Sequence, residues 1–369
     1  MESSGKKKGK MEIIYYPDTE DRVHPSLSVA VSENRVHPSS SVADRKTVAT
    51  VGFFDGLHLG HRHLICMLRQ MAEERQMASA VITFERHPRQ VLGSDWQPQL
   101  LTTLEEKQAL IEAAGVDRLV VLRFDREMAA LSARDFMEQV LLRQLGVQVL
   151  VTGYDNRFGH NRSEGFNDYV RYGQEIGMDV VAGTPLTLPD GGKISSSVIR
   201  RLLQAGDVAG AAHCLGRPYT LSGTVVSGQH IGTGLGFPTA NLNPDEPLKL
   251  IPKAGAYAVD VDVNTQHLSP PSQSSPIAPS SRLPLTPHLS PLTPPHPGMM
   301  NIGTRPTFDG QGQTLEVHLF NYIGDLYDQS LTVSFRHWLR PEQRFDSREQ
   351  LVSQLQHDAE QAQKLLSIH

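Results

Sequence analysis

Two hydrophobic rhythms run along the chain and change over near Arg217. Before that point, compact apolar runs alternate with stretches of helical spacing. Val48–Val51, Ala80–Phe84, Leu119–Leu122 and Val147–Thr152 read as strands, and Met11–Tyr16 could be a first one. Leu64, Ile65, Leu68, Met71 and Ala72 recur at helix spacing. Leu104–Ala114 and Ala133–Leu145 read as further helices, the first with Glu105, Glu106 and Lys107 turned outward. Strands alternating with helices predict a parallel sheet with crossover helices, an α/β unit over about 46–216.

From Arg217 the period falls to two. Tyr219–Val226, Ala256–Val263, Leu315–Phe320 and Leu331–Phe335 alternate apolar and polar positions between glycine-rich turns. This predicts a β-barrel or sandwich over 217–369. Residues 264–298 interrupt it with a Pro/Ser-rich stretch that has no acidic residue. Such a stretch buries too little apolar surface to offset ordering entropy, so it reads as a disordered or polyproline-like insertion. Ser347 opens a last helix, with Gln350 at capping-box spacing and a stripe of Leu351, Leu355, Ala359, Ala362 and Leu366. Residues 1–45 read as a tail with a polar loop, in which Arg22-Val-His-Pro-Ser26 returns as Arg35-Val-His-Pro-Ser39.

Composition narrows the class. A net charge of −5 gives no basic footprint for nucleic acid, and the Lys6–Lys10 run reads as a solvated tail. No 18-residue apolar stretch predicts a membrane span. Two cysteines make no disulfide framework, which points to a cytoplasmic protein. No protein partner is expected.

The chemistry concentrates in Gly52-Phe-Phe-Asp-Gly-Leu-His-Leu-Gly-His61, between a strand and a helix. Such a turn aims backbone N–H groups and the positive end of a helix at one point, which favours a phosphate. His58 and His61 can donate to phosphate oxygens there, and Gly52, Gly56 and Gly60 admit a close ligand. A zinc site of His58, His61 and His63 is the competing reading. Ser195, Ser196 and Ser197 precede an apparent helix with Arg200 one turn on, either as an ordinary cap or as phosphate donors. Lys193 is followed by Ile194, so no Walker motif is present. Thr239 and Asn241 would share one side of an extended segment and could ligate Mg²⁺ through oxygen. Gly228, Gly232, Gly234 and Gly236 form either a loop for ATP phosphates or ordinary turns.

Taken in order, these motifs resemble the prokaryotic bifunctional riboflavin kinase/FMN adenylyltransferase family. The 52–61 string is similar to the signature of HxGH nucleotidyltransferases. Gly153-Tyr-Asp-Asn-Arg-Phe-Gly159 resembles the family's flavin loop, Ile194–Arg200 its second nucleotide motif, and Gly236-Phe-Pro-Thr-Ala-Asn241 its kinase signature. The resemblance implies a Rossmann-like HxGH domain followed by a small Greek-key barrel with a terminal helix. It implies ATP, riboflavin, FMN and FAD as ligands. For adenylyl transfer it implies His58, His61 and Arg200 as catalytic, with Phe54, Asp55 and Ser195–Ser197 at the nucleotide. For the kinase it implies Glu316 as general base, with Gly234, Gly236 and Pro238 at the nucleotide. Asp155, Arg157, Phe158 and Arg340 fall to the flavin. Asn156 stands where many members carry an aromatic residue, and Arg86 where proline is common. Two rivals stay open: an HxGH nucleotidyltransferase with another acceptor, and a flavin-binding regulatory protein with degenerate sites.

Overall fold

The computed structural model describes residues 10–17, 46–91, 93, 97–153, 156–160, 163–187, 192–227, 236–264, 294–307 and 310–366. The chain divides into two compact units, residues 1–196 and 197–369. Both Arg-Val-His-Pro-Ser segments, Asp155, Gly228, Gly232, Gly234 and residues 265–293 lie outside the described residues.

The first unit is a six-stranded parallel sheet. Its strands are β1 (Glu12–Tyr16), β2 (Thr47–Val51), β3 (Ala78–Phe84), β4 (Arg118–Leu122), β5 (Val147–Thr152) and β6 (Asp179–Ala182). They lie in the order β1-β4-β3-β2-β5-β6. The connecting helices are α1 (Leu59–Glu74), α2 (Pro88–Val91), α3 (Leu104–Ala113), α4 (Arg126–Ala130), α5 (Ala133–Asp135) and α6 (Phe166–Ile176). Every residue of β2 and β4 is buried, as expected when helices cover both faces. Ile82, Leu122, Met137 and Leu150 build the core on one face; Ile65, Leu68, Ile111 and Val149 build it on the other. The segment expected as one helix over 133–145 starts as α5 and continues as a π-helical stretch, Phe136–Gln144.

Lys107 departs from the sequence expectation. Thr103 and Glu106 form a reciprocal capping box that sets the phase of α3. Leu104, Lys107 and Ile111 then share the inward stripe at i, i+3, i+7. Lys107 is only 2% exposed.

The second unit contains α7 (Ser196–Ala205), which starts at the division, and α8 (Val208–Leu215). Its strands are β7 (Tyr219–Val226), β8 (Ala240–Pro244), β9 (Gly255–Asn264), β10 (His296–Thr307), β11 (Gly310–Leu319) and β12 (Ser330–Pro341). They close into an antiparallel barrel in the order β10-β11-β8-β7-β12-β9. Burial alternates along β7 and the first half of β12, and Leu221, Tyr257, Val261, Ile302, Val333 and Phe335 fill the interior. A Cβ at Gly223 would lie 2.4 Å from the Asn243 carbonyl oxygen, so only glycine lets β7 and β8 approach this closely. The last helix, Arg348–Leu366, lies on the barrel through Leu355, Ala359, Ala362 and Leu366 against Met299 and Phe320. Ser347 caps it by accepting from the Gln350 N–H (3.2 Å), while Gln350 reaches back to the N–H of Asp346.

β8 and β10 escape a propensity reading. β8 is Ala-Asn-Leu-Asn-Pro, and β10 holds two prolines and two glycines. Closure of the barrel, not local preference, makes them strands. β10 begins inside the segment read as an insertion, with His296 opposite Val261. A variant with residues 266–293 replaced by a short Asn-Gly turn is therefore expected to keep the barrel and both activities proposed below. Circular dichroism melting and product assays check this, and loss of cooperative unfolding would refute it.

Candidate functional sites

In the first unit the chain runs β2→β3→β4 to one side and returns as β5 and β6 on the other, so β2 and β5 flank the topological switch point. Ligands of open parallel sheets bind beyond the strand ends at such a point. The loops after β2 and β5 both leave there. Asn156, from the second loop, donates its amide N–H to the carbonyl of Val51 at the end of β2. That residue thus joins the two loops in place of an aromatic ring.

The turn after β2 is held in a demanding conformation. Phe54 and Leu57 adopt positive φ (52° and 36°), as does Gly56 (79°). Such strain at a non-glycine costs about 1–3 kcal/mol and persists only where neighbours enforce it. The Asp55 carboxylate supplies the enforcement. It is buried and accepts from the backbone N–H groups of Leu101 (2.9 Å) and Thr102 (3.1 Å), while the Thr102 hydroxyl accepts from the N–H of Gly56. In the sequence reading Asp55 belongs to the nucleotide; its carboxylate also holds the scaffold of the turn. The Ser196 hydroxyl donates to the Asp55 carbonyl (2.9 Å). Ser196 opens α7, Ser197 is exposed beside it, and Ser195 immediately precedes it.

His58 caps α1 through its ring: Nδ1 accepts from the His61 N–H (3.2 Å). A neutral His58 therefore carries its proton on Nε2. His58 and His61 stack with centroids 3.6 Å apart, and the edge of Phe54 supports His61. Burial, and then the neighbouring His58 and Lys107, hold the His61 pKa well below the usual histidine range. His61 Nδ1 is buried and unpartnered among the described residues. The two rings are thus buried together, with His61 held neutral, an arrangement suited to hydrogen-bonding phosphate oxygens that gain charge during reaction. His63 turns away to the Thr184 hydroxyl, and no trio of metal-ligating side chains occurs among the described residues.

The glycines shape this pocket. A Cβ on Gly52 would press on the Phe54 ring at 3.1 Å, and one on Gly60 would meet His58 Nδ1 at 3.2 Å. Gly60→Ala is expected to displace the His58 ring, loosen the cap at about 1 kcal/mol and lower nucleotidyl transfer while sparing the barrel's activity. Paired product assays on the purified variant check this; equal loss of both would refute it.

The loop after β5 is anchored at Phe158, which stacks on Tyr169 (4.1 Å) and whose N–H donates to the Tyr169 hydroxyl. Arg157 beside it is exposed. Arg200 lies on α7 in the second unit and is half-buried.

On the barrel, register places Asn241 of β8 opposite Glu316 of β11, and Asn301 of β10 opposite Glu316 on the other side. Their strand neighbours Leu242, Val317 and Ile302 are buried, so the three polar residues form one row on the outer face. Thr239 immediately precedes β8 and is half-buried. The Pro238 carbonyl accepts from His318 Nδ1 (2.8 Å) and Phe237 packs edge-on to His318, which fixes the 236–239 segment beside β11. Gly236 has φ 83°, a value suited to glycine. The Arg340 guanidinium pairs with buried Asp358 on the last helix (Nη2–Oδ2 2.8 Å). An open cleft of about 570 Å³ lies along that helix, between Gln343, Arg344 and Phe345 and the side chains of Gln350, Gln354 and His357.

Asn301 and Lys107 were missed at the sequence level. The i, i+3, i+7 spacing in α3 could have found Lys107; nothing local marks Asn301, since its place follows from register.

These two arrangements define an ATP-utilising transferase with a phosphate turn on an α/β sheet and a polar row on a closed barrel. Family models agree: one for FAD synthetase matches residues 40–198, and one for riboflavin kinase matches 215–366. The bifunctional riboflavin kinase/FMN adenylyltransferase of Pseudomonas fluorescens is 37% identical over 87% of this chain and 93% of its own. That of Escherichia coli K12 is 37% identical over 84% and 90%. A crystal structure described as a macrolide-efflux protein from Streptococcus pneumoniae superposes with a TM-score of 0.72, at 27% identity, over 87% of this chain and 95% of that one. No helix among the described residues is long and apolar enough to cross a membrane. The chain belongs to the bifunctional riboflavin kinase/FMN adenylyltransferase family.

Proposed function

We propose that the chain makes FAD in two ATP-dependent steps, in the cytoplasm, with residues 46–216 adenylylating FMN and residues 217–369 phosphorylating riboflavin. The stacked His58–His61 pair at the sheet's switch point, with His61 held neutral by burial, carries the reading. In the first site an FMN phosphate oxygen attacks the α-phosphorus of ATP and pyrophosphate leaves. His58 and His61 donate hydrogen bonds to the phosphates as charge builds, and the amides of the 52–60 turn with Ser195–Ser197 align them. By resemblance Arg200 is assigned to the phosphates, and Asp155, Arg157 and Phe158 to the flavin.

In the second site Glu316 accepts the proton of the riboflavin 5′-hydroxyl as its oxygen attacks the γ-phosphorus and ADP leaves. Gly234, Gly236 and Pro238 border the nucleotide. Thr239 and Asn241 offer only oxygen donors beside the Glu316 carboxylate, a set that fits a hard divalent cation such as Mg²⁺. When bound, that cation supplies charge neutralisation to the ATP phosphates. Arg340, braced by Asp358, holds the strand end bordering the cleft at the flavin side.

Incubating the purified chain with riboflavin and Mg-ATP, followed by chromatography, tests the proposal. FMN and then FAD are expected. A nucleotidyltransferase with another acceptor would yield no flavin product, and a regulatory protein would only bind riboflavin.

A further inference from the structure

Lys107 is an ammonium buried where packing alone would favour an apolar side chain. Its Nζ lies 3.9 Å from the centroid of the Phe53 ring and 3.5 Å from the Thr83 hydroxyl. The Thr83 hydroxyl in turn donates to the Phe53 carbonyl (3.1 Å). The ammonium therefore holds Phe53, at the start of the turn, directly through its ring and indirectly through the Thr83 hydroxyl bonded to its carbonyl. No carboxylate comes within ion-pair distance of it among the described residues. The charged groups nearest in effect are Asp55, already committed to Leu101 and Thr102, and Glu105, which is exposed on the same helix. From α1 the His61 imidazole, held neutral, lies within its electrostatic reach.

An unpaired buried cation is destabilising, and replacement by an apolar residue of similar shape is often neutral or favourable. A protein keeps such a group where function compensates for lost stability. The position is the carboxyl edge of the sheet, at the ends of β2 and β3, the edge on which phosphates bind.

We infer that Lys107 is a positioning residue of the adenylyl-transfer site, whose buried ammonium fixes the 53–56 turn and serves as a built-in countercharge to the ATP phosphates. This rests on the assignment of adenylyl transfer to the α/β unit. Burial also lowers the Lys107 pKa to about 8, and an anion arriving beside it would raise that value again. Its charge in turn helps keep His61 neutral and therefore a hydrogen-bond donor rather than a second cation.

The test is Lys107→Met in the full chain. The variant is expected to melt at the same or a higher temperature and to phosphorylate riboflavin normally. Its kcat for FAD formation from FMN should fall by roughly tenfold or more, the size expected for a unit charge felt at roughly 10 Å through protein. A folded variant with wild-type kcat overturns the inference, as does one that loses both activities together. Should the variant not fold, the unmodified chain labelled with [ε-¹³C]lysine decides. The resonance titrating near pH 8 should move to higher pKa with saturating Mg-ATP, and an unmoved titration overturns the inference. Absence of FAD formation by the unmodified chain would instead refute the assignment of adenylyl transfer.

Discussion

His61→Ala lowers FAD formation from FMN by roughly 10²–10³-fold, the usual loss when one preorganised donor to a charged transition state is removed. Its ring is desolvated, neutral and stacked on His58 at 3.6 Å, so no reorganisation is needed when the phosphates arrive. Alanine also removes the surface on which His58 rests, so the loss falls on both imidazoles. The kinase assay on the same variant should be unchanged, because Glu316 and Asn241 belong to the barrel. The measurement is turnover from FMN and from riboflavin, with ATP saturating in both. An adenylyltransferase turnover equal to that of the unmodified chain would remove His61 from the mechanism.

Glu316→Gln produces the mirror image. The substitution keeps shape and one acceptor oxygen but removes the capacity to take up a proton. General-base assistance contributes typically about 10²–10⁴-fold, and riboflavin phosphorylation should fall within that range. Supplied FMN should still become FAD. Because Asn241 and Asn301 flank Glu316 in register, an amide there disturbs packing little. If both activities fall while circular dichroism shows an intact fold, the division of labour between the units is wrong. If neither falls, the base lies elsewhere.

The sequence showed the α/β half well because β2, β3, β4 and β5 are buried and their apolar runs leave little ambiguity. The turn after β2 was legible for a different reason: close approach at Gly52 and Gly60 and a positive φ at Gly56 favour glycine, and glycine is visible in a string. Asp55 shows the limit of that reading. Its type suits a ligand contact, while its burial and its bonds to Leu101 and Thr102 also make it part of the scaffold. Those partners lie some way along the chain, where no pattern announces them. Lys107 shows a second limit, since sorting by charge gave the wrong face and sorting by helical phase gives the right one. In the barrel, alternation revealed β7, β9, β11 and β12, whereas β8 and β10 exist because a closed sheet needs them. The row Asn301–Glu316–Asn241 is accordingly a product of topology.

The attachment of the phosphate turn to β2 carries a kinetic consequence. β2 lies inside the sheet, paired on both sides, and the ladder continues into the turn through the Gly52 N–H to the Ile82 carbonyl (3.0 Å). Amide hydrogens in core strands exchange with solvent only through openings near the full unfolding free energy. The amides of Val48–Gly52 should therefore be among the last of this unit to exchange. Heat should abolish adenylyl transfer in step with the unfolding of the α/β unit, with no earlier phase in which the turn melts alone on an intact sheet.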